Sequence, residues 1–231
     1  RFVRTTDAGL SYLESSRRIL AEADEADEAA AGIHAAPRGQ LAVTAPVLFG
    51  SLFVMSGIVD FLRHYPEVSV SAMFLDRVVN LIEEGLDVGV RIGELPDSTM
   101  RAIPVGHVRR VVCAAPEYLK LSDKLEEPHD LLRHTIISAT PVSPAAEWRF
   151  GAGKNAVSVK VLPRLAVTNN DGAIQAALQG FGVTRLMSYQ ISGQLAAGRL
   201  KRVLTEYEPP PLPIHVLHRE GRQASAKVRR F

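Results

Sequence analysis

The sequence predicts an α/β protein built in two lobes and preceded by one long helix, and three observations predict it. Between residues 39 and 92, apolar alternation and helical spacing succeed one another as strand, helix, strand, helix, strand. That order makes a parallel sheet with right-handed connections. The same theme restarts after Pro116 and continues to Pro213, and ahead of both no proline interrupts a run rich in Ala, Glu, Leu and Arg from Leu10 to Ile33.

Thr6 and Asp7 offer capping side chains, so the spacing predicts one helix over residues 7–34, about seven turns at 3.6 residues each. Leu13, Leu20, Ala23 and Ala30 fall near a seven-residue repeat that Asp27 interrupts. So narrow a stripe on so long a helix predicts a partner helix, with a solvated connecting rod as the alternative. The acids Glu22, Asp24, Glu25, Asp27 and Glu28 form its wet face, and Gly32 and Pro37 end it.

Residues 39–50, Gly-Gln-Leu-Ala-Val-Thr-Ala-Pro-Val-Leu-Phe-Gly, organise the rest of the chain. Leu41 and Val43 mark a short strand, and Pro46 suits the first turn of a helix because its missing N–H is no loss there. A strand running into a helix N-terminus leaves N–H groups and the positive end of a dipole at its carboxyl edge. Thr44 either caps that helix or adds a hydroxyl to an anion-holding site. Leu48, Phe49, Leu52, Phe53, Val59 and Leu62 give the helix one apolar face, closed before Tyr65-Pro66.

Val68, Val70, Ala72 and Phe74 alternate as a half-buried strand. Asp76 can cap a short helix carrying Val78, Leu81 and Ile82, which Gly85 ends, and residues 87–92 form the third strand. Ligands in such sheets bind beyond the carboxyl ends of the strands, where Thr44 and Arg91 to Gly93 both lie. In the second half, strands are expected at 108–115, 135–138, 148–150, 157–161, 165–168, 182–186, 200–204 and 214–218. Helices are expected after Asn169-Asn170-Asp171 and at 188–197. Asn169 and Asn170 repeat at a helix start the geometry of Thr44. Crossings near Ala115 and Leu212 divide the chain into lobe I (37–115 and 213–231) and lobe II (116–212).

The 231 residues can bury a substantial core, and 46% hydrophobic with 23% charged residues is ordinary for a globular protein. A formal net charge of +2 gives no basic nucleic-acid-binding surface. The one cysteine, Cys113, excludes an intramolecular disulfide and reads as an inert core thiol in a reducing compartment. No apolar run approaches a membrane span in length, and the charged N-terminus lacks the apolar core of a secretion signal. Both ends read as cut: residues 1–5 as a strand without its partner, residues 227–231 as a helix that stops after one turn.

No catalytic or metal constellation emerges. Gly151-Ala152-Gly153-Lys154 has Trp148 where a phosphate loop needs its first glycine, and Asn155 where it needs Ser or Thr. Gly180-Phe181-Gly182 lacks a third glycine and comes after its helix, so it is a helix stop. His215 and His218, three apart on a strand, point to opposite faces, and no Gly-x-Ser-x-Gly elbow is present. Glu83 and Glu84 read as solvated. Trp148, the one tryptophan, is either core or a ligand-stacking ring.

Taken in order, these segments resemble the LysR-type transcriptional regulators. The resemblance is carried by Thr6-Asp7-Ala8-Gly9, Gly39-Gln40-Leu41 with Val43-Thr44-Ala45-Pro46 and Phe49-Gly50, Tyr65-Pro66, Val79-Asn80-Leu81-Ile82-Glu83-Glu84-Gly85-Leu86-Asp87, Arg91-Ile92-Gly93, Cys113-Ala114-Ala115-Pro116-Glu117-Tyr118-Leu119, Trp148-Arg149-Phe150, Gly180-Phe181-Gly182-Val183 and Gly198-Arg199-Leu200. It implies a two-lobed effector-binding domain like the type 2 periplasmic binding proteins (37–231), behind the end of a DNA-binding wing and a linker helix (1–36). The winged helix-turn-helix that reads promoter DNA would lie in the full-length protein only.

The resemblance further implies a cytoplasmic regulator without enzymatic activity, cofactor or membrane contact, dimeric through its linker helix and assembling into a tetramer. A carboxylate or aromatic metabolite would bind between the lobes. Carried onto matching positions, the site residues are Thr44, Leu48, Phe49, Arg91, Gly93, Ser98, Thr99 and Asn169, with Trp148 beside them. Arg185 departs from the family pattern, which is apolar there; it either disturbs an apolar wall or adds an anion partner. A solute-binding protein for transport, which shares the fold, is the alternative reading.

Overall fold

The computed structural model describes residues 6, 8–9, 12–13, 15–16, 19, 23, 36–77, 79–95, 100–139, 146–219 and 225–231. The described residues at 8–23 are helical, Thr6 preceding them, and Thr6 Oγ1 accepts the Gly9 N–H at 3.1 Å, the expected cap. The remainder of the predicted 7–34 helix, its acidic face and residues 1–5 lie outside the described residues. The chain divides into two compact units: residues 1–91, 95–103 and 215–231 form the first, and residues 92–94 and 104–214 the second.

The sheet of the first unit has strand order β2-β1-β3-β12-β4, from β1 (Gly39–Ala45), β2 (Val68–Phe74), β3 (Val88–Ile92), β4 (Met100–Val108) and β12 (Leu212–Arg219). β1 pairs in parallel with β2 from Gly39 opposite Val68 to Ala45 opposite Phe74, and with β3 at Val43 opposite Val88. Alternation then separates two faces. Leu41 and Val43 pack with Phe61, Val68 and Val88 on one face, and Ala42 packs with Val79, Leu81, Leu86 and Leu217 on the other. α5 (Ala226–Arg230) packs through Val228 on the first of these faces.

The helix after β1, α1 (Val47–His64), begins one residue later than expected, with Pro46 as its N-cap. It is α-helical at Val47–Phe49, widens to a π-helix at Gly50–Val54, and resumes as α-helix at Met55–His64. A Cβ on Gly50 would stand 2.5 Å from the Phe74 ring, so only glycine admits that close approach. Ile58 and Phe61 are buried, whereas Leu52 and Phe53, expected on the buried face, are 53% and 50% exposed. At 18 residues and mean hydropathy 1.4, α1 does reach the length of a span, contrary to the sequence expectation. Asp60, Arg63 and His64 nevertheless crowd its last turn, and Phe61 anchors it on β1, packed with Leu41 and Val43.

Among the described residues no regular helix connects β2 to β3. Residues 81–85 form turns, closed by Leu86 N–H to Leu81 O at 2.8 Å with Gly85 at φ 63°. Asp76 Oδ1 accepts the Val47 N–H at 3.1 Å.

The second unit is built on strand order β11-β5-β10-β6-β9, from β5 (Arg110–Ala114), β6 (Ile136–Ser138), β9 (Pro163–Ala166), β10 (Val183–Met187) and β11 (Lys201–Val203). β10 runs parallel to β6 and antiparallel to β5. The hairpin of β7 (Ala146–Phe150) and β8 (Val157–Val161) covers one face, burying Trp148, Phe150, Val159 and Val161 with Val112, Ala114 and Val183. α2 (Pro116–Leu121), α3 (Asn170–Leu178) and α4 (Ser192–Ala196) connect the strands, and Ala173, Ile174 and Ala177 of α3 are buried. β5 belongs to this sheet, so the first crossing lies nearer residue 104 than Ala115.

Candidate functional site

The carboxyl end of β1 carries the first candidate residues. Thr44 lies between Met73 of β2 and Gly89 of β3, is 0% exposed, and its Oγ1 has no hydrogen-bond partner among the described residues. Its Cγ2 would stand 3.3 Å from a Cβ built on Gly89, as would Leu81 at 2.9 Å, so Thr44 faces the 79–86 segment. Two residues beyond Gly89 on the same face, Arg91 donates from Nη1 to Val90 O at 3.1 Å and from Nη2 to Val79 O at 2.9 Å. Burial pulls Arg91 below the ordinary arginine value, and the Glu84 carboxylate partly offsets this. Glu84 itself is not free but chelates Arg77 at 2.8 and 2.9 Å.

At the start of α1, Leu48 and Phe49 are half-buried, and the Phe49 ring lies 4.9 Å from that of Phe53. The Val47 N–H is held by Asp76, a carboxylate already seated at the helix N-terminus. Sequence reading missed this role of Asp76 because its partner lies 29 residues away in the chain. At the amino end of β3 a second acid, Asp87, accepts the Ala42 N–H at Oδ2, at 2.7 Å.

The structure thus brings Thr44 and Arg91 to one sheet face, with Leu48 and Phe49 on the helix that β1 feeds. Gly93, Trp148 and Asn169 belong to the second unit. Gly93 sits at φ 112° with its N–H donated to Pro213 O at 2.9 Å. Asn169 is the N-cap of α3, its Oδ1 accepting the Gly172 N–H at 2.8 Å, so its side chain is already in use. Trp148 is 3% exposed and packs in the core, with the Arg185 guanidinium 4.9 Å above its ring. Ser98 and Thr99 lie outside the described residues.

Cys113 is fully buried and burial pushes its thiol up to about 12, so it stays protonated and unreactive at neutral pH. Among the described residues no three His, Cys, Asp or Glu side chains gather as a metal site.

Known proteins share this outline. The family profile described as the LysR substrate binding domain matches residues 34–231. The HTH-type transcriptional regulator PtxR of Pseudomonas aeruginosa is 30% identical over 231 residues, an alignment covering 100% of this chain and 74% of that protein. Among solved structures, the full-length Vibrio cholerae virulence activator AphB aligns with TM-score 0.75 at 21% identity, over 97% of this chain and 76% of its own. CrgA of Neisseria meningitidis, a LysR-type transcriptional regulator, aligns with TM-score 0.73 at 24% identity, over 99% and 79%.

Proposed function

Because the chain belongs to the LysR-type transcriptional regulators, with their effector-binding domain, we propose that its effector is a small carboxylate with an apolar body, held on the first unit where β1 feeds α1. The observation that supports this reading is the Asp76 carboxylate on the Val47 N–H. A helix N-terminus that seats an internal carboxylate has the polarity to seat an external one. Arg91 supplies the fixed positive charge, Thr44 an unused hydroxyl, and Leu48 and Phe49 the apolar contact. Ser98 and Thr99 join the proposed set.

A screen of small aliphatic and aromatic carboxylates by thermal shift tests the reading. An effector at about a hundredfold excess over its Kd is expected to stabilise the wild type by about 2.7 kcal/mol. Arg91→Ala should abolish that shift and Thr44→Ala weaken it. Asp76→Ala, which removes the internal competitor at the cost of about 1 kcal/mol of capping, should tighten binding severalfold. A hit whose affinity ignores all three substitutions places the site elsewhere.

Self-association belongs to the same reading. Tyr12 and Ile19, seven apart on helical residues, are 77% and 62% exposed, the spacing of a helix that pairs with a second copy. We propose a dimer through residues 7–34 and a tetramer of such dimers, in the cytoplasm. Promoter DNA would be bound by a winged helix-turn-helix of the full-length regulator, and effector binding would reset its spacing rather than drive catalysis. Removing residues 1–36 is expected to lower the number of copies in the sedimenting species at micromolar concentration; an unchanged number counts against this interface. The transport reading is set aside, since the relatives are transcriptional regulators.

A further inference from the structure

The second unit holds a pair of charges that its own residues leave uncompensated. Arg110 opens β5 and Arg185 lies in β10. In the antiparallel register Arg185 stands opposite Val112 and Met187 opposite Arg110. The two arginines are therefore diagonal neighbours on one sheet face, within reach of long side chains. Both are half-buried, and neither forms a salt bridge among the described residues. Burial lowers Arg110, while burial and then repulsion from Arg110 pull Arg185 down to about 9, which leaves Arg185 charged at neutral pH.

The surroundings fix Arg185 without neutralising it. Its guanidinium lies 4.9 Å over the Trp148 ring and its Nη2 reaches the Glu147 carbonyl oxygen at 3.5 Å. The Glu147 carboxylate is engaged elsewhere, with Arg149 at 3.3 Å. Residues 140–145, Thr-Pro-Val-Ser-Pro-Ala, contain no acid. Two like charges half-removed from water are costly unless something else supplies the counter-charge. Guanidiniums carried at diagonal positions of one sheet face present planar forks of donors that match the oxygens of a carboxylate or phosphate.

We propose that Arg110 and Arg185 form an oxyanion-binding site in the second unit, beside Trp148, that takes a small carboxylate or phosphate ligand. The site lies wholly in this unit and does not depend on the effector site proposed for the first. An anion bridging the two guanidiniums relieves their repulsion and shifts Arg185 against the indole. Since Trp148 is the one tryptophan in the chain, its fluorescence reports the event directly.

The test titrates the full chain at pH 7 with sodium phosphate and, separately, sodium succinate, against sodium chloride of matched ionic strength. Trp148 emission and the thermal midpoint are both read. At least one anion is expected to give a saturable emission change with a rise in midpoint, and which one does so separates a phosphate ligand from a carboxylate. R110M and R185M should each lose it, and both should be at least as heat-stable as the wild type without anion. If either fails to fold, R110K and R185K replace them and should bind about tenfold more weakly, having lost the planar fork. R91A keeps the response, so failure of the first-unit site leaves this one standing. No saturable response to either anion, or a response that survives both arginine substitutions, overturns the proposal.

Discussion

Gly182→Ala is expected to destabilise the protein by about 3–5 kcal/mol, lowering the thermal midpoint by on the order of 10 °C. A Cβ at residue 182 would stand 2.3 Å from the Thr135 carbonyl oxygen and 3.0 Å from the carbon that bears it. Backbone cannot swing aside as a side-chain tip can. The same oxygen accepts the Val183 N–H at 2.8 Å, next to the pairing of Val183 with Ile136 that joins β10 to β6. Relief of the clash therefore costs that hydrogen bond and pulls Val183, fully buried, from the core. Gly193→Ala is the control, because a Cβ there meets nothing within 4 Å. In α4 it should be neutral or stabilising by up to about 1 kcal/mol. Thermal or urea unfolding of both variants decides the matter, and equal midpoints would refute the clash.

The second large effect is an asymmetry. Arg202 of β11 donates from Nε at 3.1 Å and Nη2 at 2.5 Å to one carboxylate oxygen of Glu208. The Glu208 side chain is 7% exposed and that of Arg202 36%. Removing the arginine strands a buried carboxylate, so Arg202→Met should cost about 3 kcal/mol. Removing the acid leaves a guanidinium that water can reach, and Glu208→Gln should cost about 1 kcal/mol. Urea unfolding at pH 7 measures both. Equal losses, or a larger loss for Glu208→Gln, would show that the pair is wet rather than buried on one side.

What could be read in the sequence depended on how local its cause was. β1, β2 and β3 announce themselves because their alternation records which side chains face the core. The last five residues before Phe231 are helical as expected, and Gly180 stops α3 with φ 71°. β4 went unread because Pro104 and Gly106 interrupt it. Those residues are tolerated because β4 is the end strand of its sheet and largely exposed. The buried face of α1 was misphased because counting at 3.6 residues per turn fails across a π-helical turn, which puts Leu52 and Phe53 outside. The role of Asp76 and the adjacency of Arg110 to Arg185 depend on pairing between distant segments. The whole-chain resemblance was legible since its motifs keep their order from Thr6 to Leu200, and the family match over 34–231 bears it out.

The π-helical turn in α1 has an evolutionary consequence. The bond from Met55 N–H to Gly50 O encloses one residue more than an α-turn does. Losing a single residue between them would restore regular winding and rotate everything upstream by about 100°. Met55–His64 would stay seated on β1 through Phe61, while Leu48 and Phe49 turned to new neighbours. The part of the helix that builds the core and the part that would meet a ligand are thus geared separately. One inserted or deleted codon, rather than a set of substitutions, is enough to change what that end of the helix presents.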